Sequence, residues 1–433
     1  MPTKVSTAPP RGMRDVLPPE VELRDAATQQ ILAVYRSFGF RRIETPALES
    51  LRLLLGSEGG ENEKLIFKVL KRGEDLDEAV TSGRELADLG LRYDLTVPLG
   101  RYYAENHTRL PDPLKAIQIG PVWRAERPQK GRFRQFTQCD IDTLGLASDV
   151  VEVEQILATC EALARLGLGD LTVRINDRRV LSLIARHCGF GEEAQAGFFI
   201  TFDKLDKLGA AGVVNELRGG DLPPGAIERF QQLLPTLENG ETSLPALRAS
   251  LGRGDAAEAF DSLEWIIRVA NAELPTGARV RFDPTLVRGM GYYTGTIFEV
   301  ASPAFRSSIA GGGRYDRMIG RLLGRAVPAC GFSIGFERLI MILTERGQDT
   351  PAPSAAASEG RRIALLVDGG GDLTAALAAA RALRGEGQLV SLELKRKNVG
   401  KQLTDLATHG FWGYAAVEGA GSLTVKPLTR EGR

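Results

Sequence analysis

Arg124, Gln138 and Asp142 are spaced so that one β-hairpin can bring their side chains together. Val122-Trp-Arg124 and the run from Phe136 to Asp142 alternate apolar and polar residues, as half-buried antiparallel strands do. Between them, Glu126 to Arg134 form a cationic, glycine-containing loop. Such a hairpin turns Arg124, Gln138 and Asp142 toward one face. That face offers a guanidinium for phosphate beside an amide and a carboxylate for a small polar ligand. A charge run by itself is usually just a solvated loop, so the reading depends on matching pieces elsewhere.

Three other stretches supply them. Leu91-Arg-Tyr-Asp-Leu-Thr-Val-Pro98 reads as a strand with Asp94 and Thr96 on one side, a carboxylate and a hydroxyl that can hold an ammonium group. Taken alone, it reads better as a strand-end Asp paired with a neighbouring Arg. Arg288-Gly-Met-Gly-Tyr-Tyr-Thr-Gly-Thr-Ile-Phe-Glu299 sets an Arg and two tyrosines among glycines that let backbone approach a ligand. A turn with two core tyrosines fits that pattern about equally well. Ser307-Ser-Ile-Ala-Gly-Gly-Gly-Arg-Tyr-Asp316 lacks the Lys-Ser/Thr of a P-loop and the spacing of a dinucleotide fingerprint. It reads as a strand in close backbone packing under the site. Arg338, on the helix after Phe332-Ser-Ile-Gly335, suits either a structural ion pair or a triphosphate tail.

The elements that must position these groups are legible from periodicity. Glu20 to Phe38 repeats apolar residues at helical spacing, Gly39 closes it, and Phe40 to Glu44 begins a strand. Leu65 to Leu70 reads as another strand and Val150 to Leu166 as a helix. From about Asn176 to Leu274 the chain is helical and interrupted by Gly219-Gly220, Pro223-Pro224 and Asn239-Gly240, which predicts an inserted helical subdomain. Strand signals return at Arg279 to Asp283, Tyr292 to Val300 and Ile309-Ala310. A Pro/Ala/Ser stretch over 348–360 reads as a linker. Beyond it, strands at Arg362 to Val367 and Leu389 to Leu394 flank an Ala-rich helix over Leu373 to Leu383. Val399 to His409 and Gly413 to Val417 continue the alternation of a small α/β domain.

Composition narrows the function. A chain of 433 residues, 43% hydrophobic and 25% charged, is sized for two or three globular domains. Lys+Arg and Asp+Glu each number 55, so nucleic-acid contact must come from local basic patches. No apolar run is long enough to span a bilayer and no secretory segment precedes Arg11, which predicts a cytoplasmic protein without membrane contact. The four cysteines show no CxxC spacing, and the three histidines are scattered. Chemistry by charge and positioning is therefore favoured over a catalytic His, and the sequence names no metal ligands.

Taken together, these stretches resemble the class II aminoacyl-tRNA synthetases and, within them, the histidyl-tRNA synthetase family of the eukaryote-like type. Phe38-Gly-Phe-Arg-Arg-Ile-Glu-Thr-Pro46 looks like motif 1, Trp123 to Phe136 like motif 2 and Gly331 to Leu339 like motif 3. The two histidine-type stretches appear as Leu286 to Tyr293 and Ala310 to Asp316. The resemblance implies an α+β fold, an antiparallel sheet flanked by helices, with a catalytic domain over 1–347 carrying the helical insertion. An anticodon-binding-like α/β domain would follow over 361–433, and the assembly would be a homodimer.

It also implies roles. Asp94, Leu95 and Thr96 would hold histidine by its α-ammonium with Gln138, while Asp142 and Tyr293 face the imidazole and Tyr292 shapes that pocket. Arg288 and Arg124 would be the catalytic pair on the substrate carboxylate and α-phosphate. Glu126, Arg132, Phe136 and Arg338 would complete the ATP site, with Mg2+ accompanying ATP. Arg127, Gln129 and, in the cluster Lys395 to Gln402, Lys401 would touch tRNA(His); that last cluster also reads as a plain solvated turn.

This sequence departs from the family pattern at Met290 and Gly291, where Leu and Asp are usual, and it ends at Arg433, soon after Thr424-Val-Lys426. The expectation is a shortened terminal domain. The reading is a histidine-tRNA ligase. Two alternatives stay behind it: a synthetase-like regulatory subunit of ATP phosphoribosyltransferase, and a histidine-activating ligase with a non-tRNA acceptor.

Overall fold

The computed structural model describes residues 6–56, 62–128, 131–238, 243–251, 257–288, 292–346, 361–368, 379–380, 382–383, 386–408, 410–416 and 423–428. Contacts divide the chain into two compact units, one of Met1–Asp15 with Thr28–Gln348 and one of Val16–Ala27 with Asp349–Arg433. The expected linker over 348–360 lies outside the described residues, as does most of the helix expected at Leu373 to Leu383.

The first unit is built on an eight-stranded sheet. Its strands are β1 (Arg41–Arg42), β5 (Leu114–Trp123), β6 (Gln135–Leu144), β7 (Leu171–Asp177), β8 (Ala278–Phe282), β9 (Thr296–Ser302), β10 (Phe305–Arg314) and β11 (Ala329–Gly335). They lie in the order β1-β5-β6-β11-β10-β9-β7-β8. The five central pairings are antiparallel; the outermost, β1 with β5 and β7 with β8, are parallel, so the sheet is mixed. A second sheet of β2 (Leu48–Ser50), β4 (Ala87–Leu91) and β3 (Lys68–Leu70) leads into the segment carrying Asp94. Helices run from Arg178 to Glu273 between β7 and β8, packed on phenylalanines that include Phe198, Phe202 and Phe230.

Register decides what the large sheet can hold. Gln118, Asp140, Ser333, Gly311, Glu299, Arg174 and Arg281 are successive partners across β5, β6, β11, β10, β9, β7 and β8. A strand directs every second residue to the same face, so these seven share one row. Polar groups stand at both ends of it, and Ser333 and Gly311 keep the middle low. Cys139, Ile141, Phe298, Val300, Phe332 and Ile334 fall on the opposite parity and are buried. The helices Val150–Arg165 and Ala257–Glu273 pack against the sheet.

Three expected elements differ in detail. The strand after Gly39 has two residues, and Leu65 closes a 3-10 turn (Asn62–Leu65) before a strand that starts at Lys68. The third difference matters for the site. The strand before Asp94 stops at Leu91, and Thr96 opens a helix that runs to Asn106. Asp94 and Thr96 are thus at a strand-to-helix junction, not on one side of a strand. Pro98 sits in the first turn of that helix, where no intrahelical N–H is required.

In the second unit, β12 (Arg362–Val367) pairs in parallel with β13 (Leu389–Leu394) and β14 (Gly413–Ala416), and β15 (Lys426–Pro427) pairs antiparallel with β14. The helix Val399–Thr408 packs Leu406 against Ala364 and Leu366.

Candidate active site

A cavity of about 690 Å³ opens over the polar row of the sheet. Every residue expected at the histidine and ATP sites lines it, Leu95 excepted. Leu95 instead buries its side chain in the core and lends its backbone carbonyl to Gln118 Nε2 at 3.0 Å. Arg127 is exposed and off the cavity wall, Gln129 and the variant pair Met290 and Gly291 lie outside the described residues, and Lys401 belongs to the second unit.

The wall is assembled from distant segments that hold one another. Arg92 donates to the carbonyls of Pro121 and Thr45 at 3.0 and 2.7 Å, and Trp123 N–H donates to the Arg92 carbonyl at 3.0 Å. These bonds clamp the Asp94 segment onto the hairpin. Gly120 is required there, because a Cβ would stand 2.6 Å from the Arg92 guanidinium. Arg124 Nε donates to the Tyr93 carbonyl at 3.0 Å, and its guanidinium lies 5.0 Å above the Phe136 ring. Asp94 Oδ1 accepts from Val97 N–H at 3.0 Å.

One half of the cavity is acidic and short of donors. Asp94, Asp140 and Asp142 are each at most 3% exposed. Asp94 Oδ2, Gln138 Oε1, Asp140 Oδ1 and Asp142 Oδ2 are buried without a hydrogen-bond partner. Burial pushes the Asp94 carboxyl up to about 6 and the Asp142 carboxyl up to about 7, although Tyr315 donates its hydroxyl to Asp142 Oδ1. Asp140 is pushed up by burial and then by the charge of Asp142. Unpaired buried acceptors of this kind call for a ligand rich in N–H donors. Tyr292 and Tyr293 pack edge-on, centroids 4.8 Å apart, and close this half. Gly331 gives it depth: a Cβ there would lie 2.1 Å from Asp142 Oδ1.

The other half is cationic and internally braced. Arg288 adopts φ 61, a costly conformation outside glycine. Its Nη1 donates to Glu299 at 2.9 Å, and Glu299 also faces Arg174 at 3.6 Å. Gly311 beneath leaves room for the guanidinium, which a Cβ would meet at 2.7 Å. Arg132 pairs with Glu126 at 3.6 Å, and Arg338 donates to the Ser308 carbonyl at 2.5 Å. Arg338 holds its proton less tightly than usual because of burial and then the nearby Arg132, with Arg288 and Arg124 adding to it. Arg338 thus senses three other guanidiniums across one space, an arrangement suited to a polyphosphate.

Asp140 and Tyr315 were not among the expected site residues. The signal for Asp140 was present: it lies midway between Gln138 and Asp142 at strand spacing, so all three must share a face. Tyr315 follows the glycine run and carried no separate sequence signal. Glu337, in the motif 3-like helix, accepts from Thr137 N–H at 3.1 Å and faces Arg14 at 3.3 Å, bracing the loop end of the hairpin.

The chain matches a family model described as histidyl-tRNA synthetase over residues 12–339. It is 46% identical over 436 residues to the histidine–tRNA ligase of Leifsonia xyli subsp. xyli, covering 97% of this chain and 98% of that protein. Over 391 residues it is 38% identical to the histidine–tRNA ligase of Aeropyrum pernix, covering 90% and 85%. The crystal structure of histidyl-tRNA synthetase from Nostoc sp. PCC 7120 superposes with a TM-score of 0.75 at 26% identity, covering 98% and 97%. A Bacillus halodurans structure titled as an ATP phosphoribosyltransferase regulatory subunit/histidyl-tRNA synthetase shares the fold at a TM-score of 0.76 and 21% identity, covering 97% and 100%. With the family model spanning the sheet, both cavity walls and the hairpin between them, the chain belongs to the histidyl-tRNA synthetase family.

Proposed function

We propose that this chain is a histidine-tRNA ligase: it joins histidine to ATP as histidyl-adenylate, releasing pyrophosphate, and passes the histidyl group to the 3′ end of tRNA(His). The observation that carries this reading is the divided cavity, with donor-poor carboxylates at one end and four guanidiniums at the other. Asp94, Thr96 and Gln138 hold the α-ammonium; Asp142, Tyr292 and Tyr293 face the ring. That orientation aims the substrate carboxylate at Arg124 and Arg288, between the two halves. In-line attack of a carboxylate on the α-phosphorus transfers no proton but gathers negative charge, and fixed guanidiniums are placed to meet it. Arg132 and Arg338 take the phosphate tail, and Phe136 with Glu126 the adenine.

Among the described residues no group of three or more acidic, His or Cys side chains forms a metal cage. The carboxylates Glu126, Glu299 and Glu337 on the ATP side are each engaged by an arginine. Mg2+ would accompany the ATP phosphates as part of the substrate.

Arg127 and Gln129 on the hairpin loop serve the tRNA acceptor end, and Lys401 in the second unit serves the anticodon region. Two copies pair through the motif 1-like segment, in the cytoplasm; no described helix is long and apolar enough to cross a membrane.

ATP–pyrophosphate exchange with a panel of amino acids, followed by charging of purified tRNA(His), tests the reading. Histidine-dependent exchange with charging is expected. No exchange with histidine overturns it in favour of a regulatory subunit, and exchange without charging in favour of a different acceptor.

A further inference from the structure

Asp140 has no role in the chemistry above, yet it is a buried carboxylate of the cavity wall with an oxygen that lacks a partner. It is 3% exposed, and its cross-strand neighbours are Gln118 and Ser333. Gln118 is committed elsewhere: Oε1 accepts from Thr45 at 3.2 Å and Nε2 donates to the Leu95 carbonyl. Gln138 Nε2 approaches Asp140 Oδ2 at 3.4 Å and the Ser333 hydroxyl lies beside the carboxylate; both are neutral, and Oδ1 has no partner. A buried carboxylate without a cation is strongly unfavourable unless a ligand supplies one.

The charges around it do not balance. Asp94 faces it from the strand-to-helix junction and Asp142 from its own strand. Arg124, from the other limb of the hairpin, acts on both Asp94 and Asp140, and Arg92, on the segment before Asp94, also acts on Asp140. Arg288 is engaged by Glu299. The phenols of Tyr292, Tyr293 and Tyr315 stay protonated because burial pushes them up. Two guanidiniums thus face three carboxylates, and one of them, Arg92, is spent on backbone carbonyls. An α-ammonium accounts for Asp94 and Gln138 and leaves Asp140 Oδ1 and Asp142 Oδ2 still without donors. A neutral imidazole brings one N–H and one lone pair, and the lone pair would face a carboxylate. An imidazolium brings two N–H groups.

Resting on the histidine-activating reading, we infer that Asp140 is a further specificity-determining residue and that its wall takes the substrate ring as imidazolium, one ring N–H to Asp142 and the other to Asp140. The second ring proton comes from the wall: burial favours the protonated form of Asp140 in the empty cavity, and that proton passes to the ring nitrogen as the substrate seats. Proton number is unchanged, and the three carboxylates then face the α-ammonium and the imidazolium as well as Arg124 and Arg92.

The test is the 15N spectrum of ring-labelled histidine bound to the full chain at about pH 7.5, where the free ring, with a pKa near 6.5, is mostly neutral. Both bound nitrogens are expected at imidazolium positions. Asp140→Asn should return the bound ring to the neutral pattern and raise KM for histidine in exchange about 10- to 100-fold, as for losing a charged hydrogen bond. A neutral ring on the unaltered chain, or an Asp140→Asn variant with unchanged KM, overturns the inference. Absence of any bound histidine, with exchange driven by another amino acid, instead overturns the histidine reading on which it rests.

Discussion

The two halves of the cavity solve opposite problems in opposite ways. The guanidinium half is largely braced before any ligand arrives, with Arg288 Nε as its one buried donor without a partner among the described residues. Arg288 leans on Glu299, Arg132 on Glu126, and Arg338 and Arg124 donate to backbone carbonyls. The carboxylate half is unfinished, with four buried acceptors lacking donors. The contrast separates two tasks. A polyphosphate is flexible and heavily charged, so its site needs charges fixed in place and screened from one another. A small amino acid must be told from its isosteres, and a wall that stays unpaired unless the right donors arrive does that more sharply than packing can.

The contrast predicts that damage to the two halves shows up in different kinetic constants. The largest effect belongs to Arg288. Arg288→Ala should lower kcat for pyrophosphate exchange by about 10²- to 10³-fold, as removal of one preorganised charge-stabilising donor does. KM for histidine should change much less. A variant in which KM for histidine rises as steeply as kcat falls would mean that Arg288 serves the ground state equally, and the division would fail.

Asp142 comes next. Asp142→Asn should raise KM for histidine about 10- to 100-fold, leaving KM for ATP near its original value. It also tests the cost of the unfinished wall. The Asp94 and Asp142 carboxyls sit at about 6 and about 7 in the fold, above their ordinary range. The folded chain therefore binds protons that the unfolded chain releases. The stability this contributes is full below about pH 4 and is lost as the pH rises through 6 and 7. Asp142→Asn removes one of the groups responsible. Without ligand, its melting temperature should gain on the unaltered chain by several degrees between about pH 5 and about pH 8. A difference independent of pH would show that Asp142 is not the strained group.

Much of this division could be read in the chain beforehand, for physical reasons. The hairpin announces itself because strand alternation survives on both sides of a loop too polar to be buried. The glycine run of β10 reads correctly as close backbone packing: a Cβ on Gly312 would stand 2.0 Å from the Gly331 carbonyl. The expected seat of Asp94 on one side of a strand is wrong, because Arg92-Tyr-Asp-Leu-Thr alternates like a strand and Pro98 looks like its end. In the structure Pro98 fits the first turn of a helix. The row from Asp140 to Arg174 could not be read. Glu299 and Arg174 come from strands separated by the whole helical insertion, and only sheet order and register bring them together. Leu95 shows the converse limit: a residue between two wall residues points into the core because its neighbours point out.

The smallest effects should come from two glycines that test the division with one methyl group each. Gly311 and Gly331 stand on adjacent strands under the two halves. Neither is among the positive-φ glycines, so alanine strains the side chain above rather than the backbone. At Gly331 the new Cβ would meet Asp142 Oδ1 at 2.1 Å and Tyr315 Cε1 at 3.2 Å. The carboxylate must move and its bond from Tyr315 must weaken. At Gly311 the Cβ would meet Arg288 Nη1 at 2.7 Å and Cζ at 2.9 Å, lifting the guanidinium off the floor beside Glu299. Displacements near 1 Å at reacting groups are worth up to 10²-fold, and both side chains have room to yield toward the cavity, so about tenfold is expected in each case. Gly331→Ala should place that factor in KM for histidine, and Gly311→Ala in kcat. Two alanines that changed the same constant would show that the floor moves as one piece, and the halves would then be a division of charge without a division of labour.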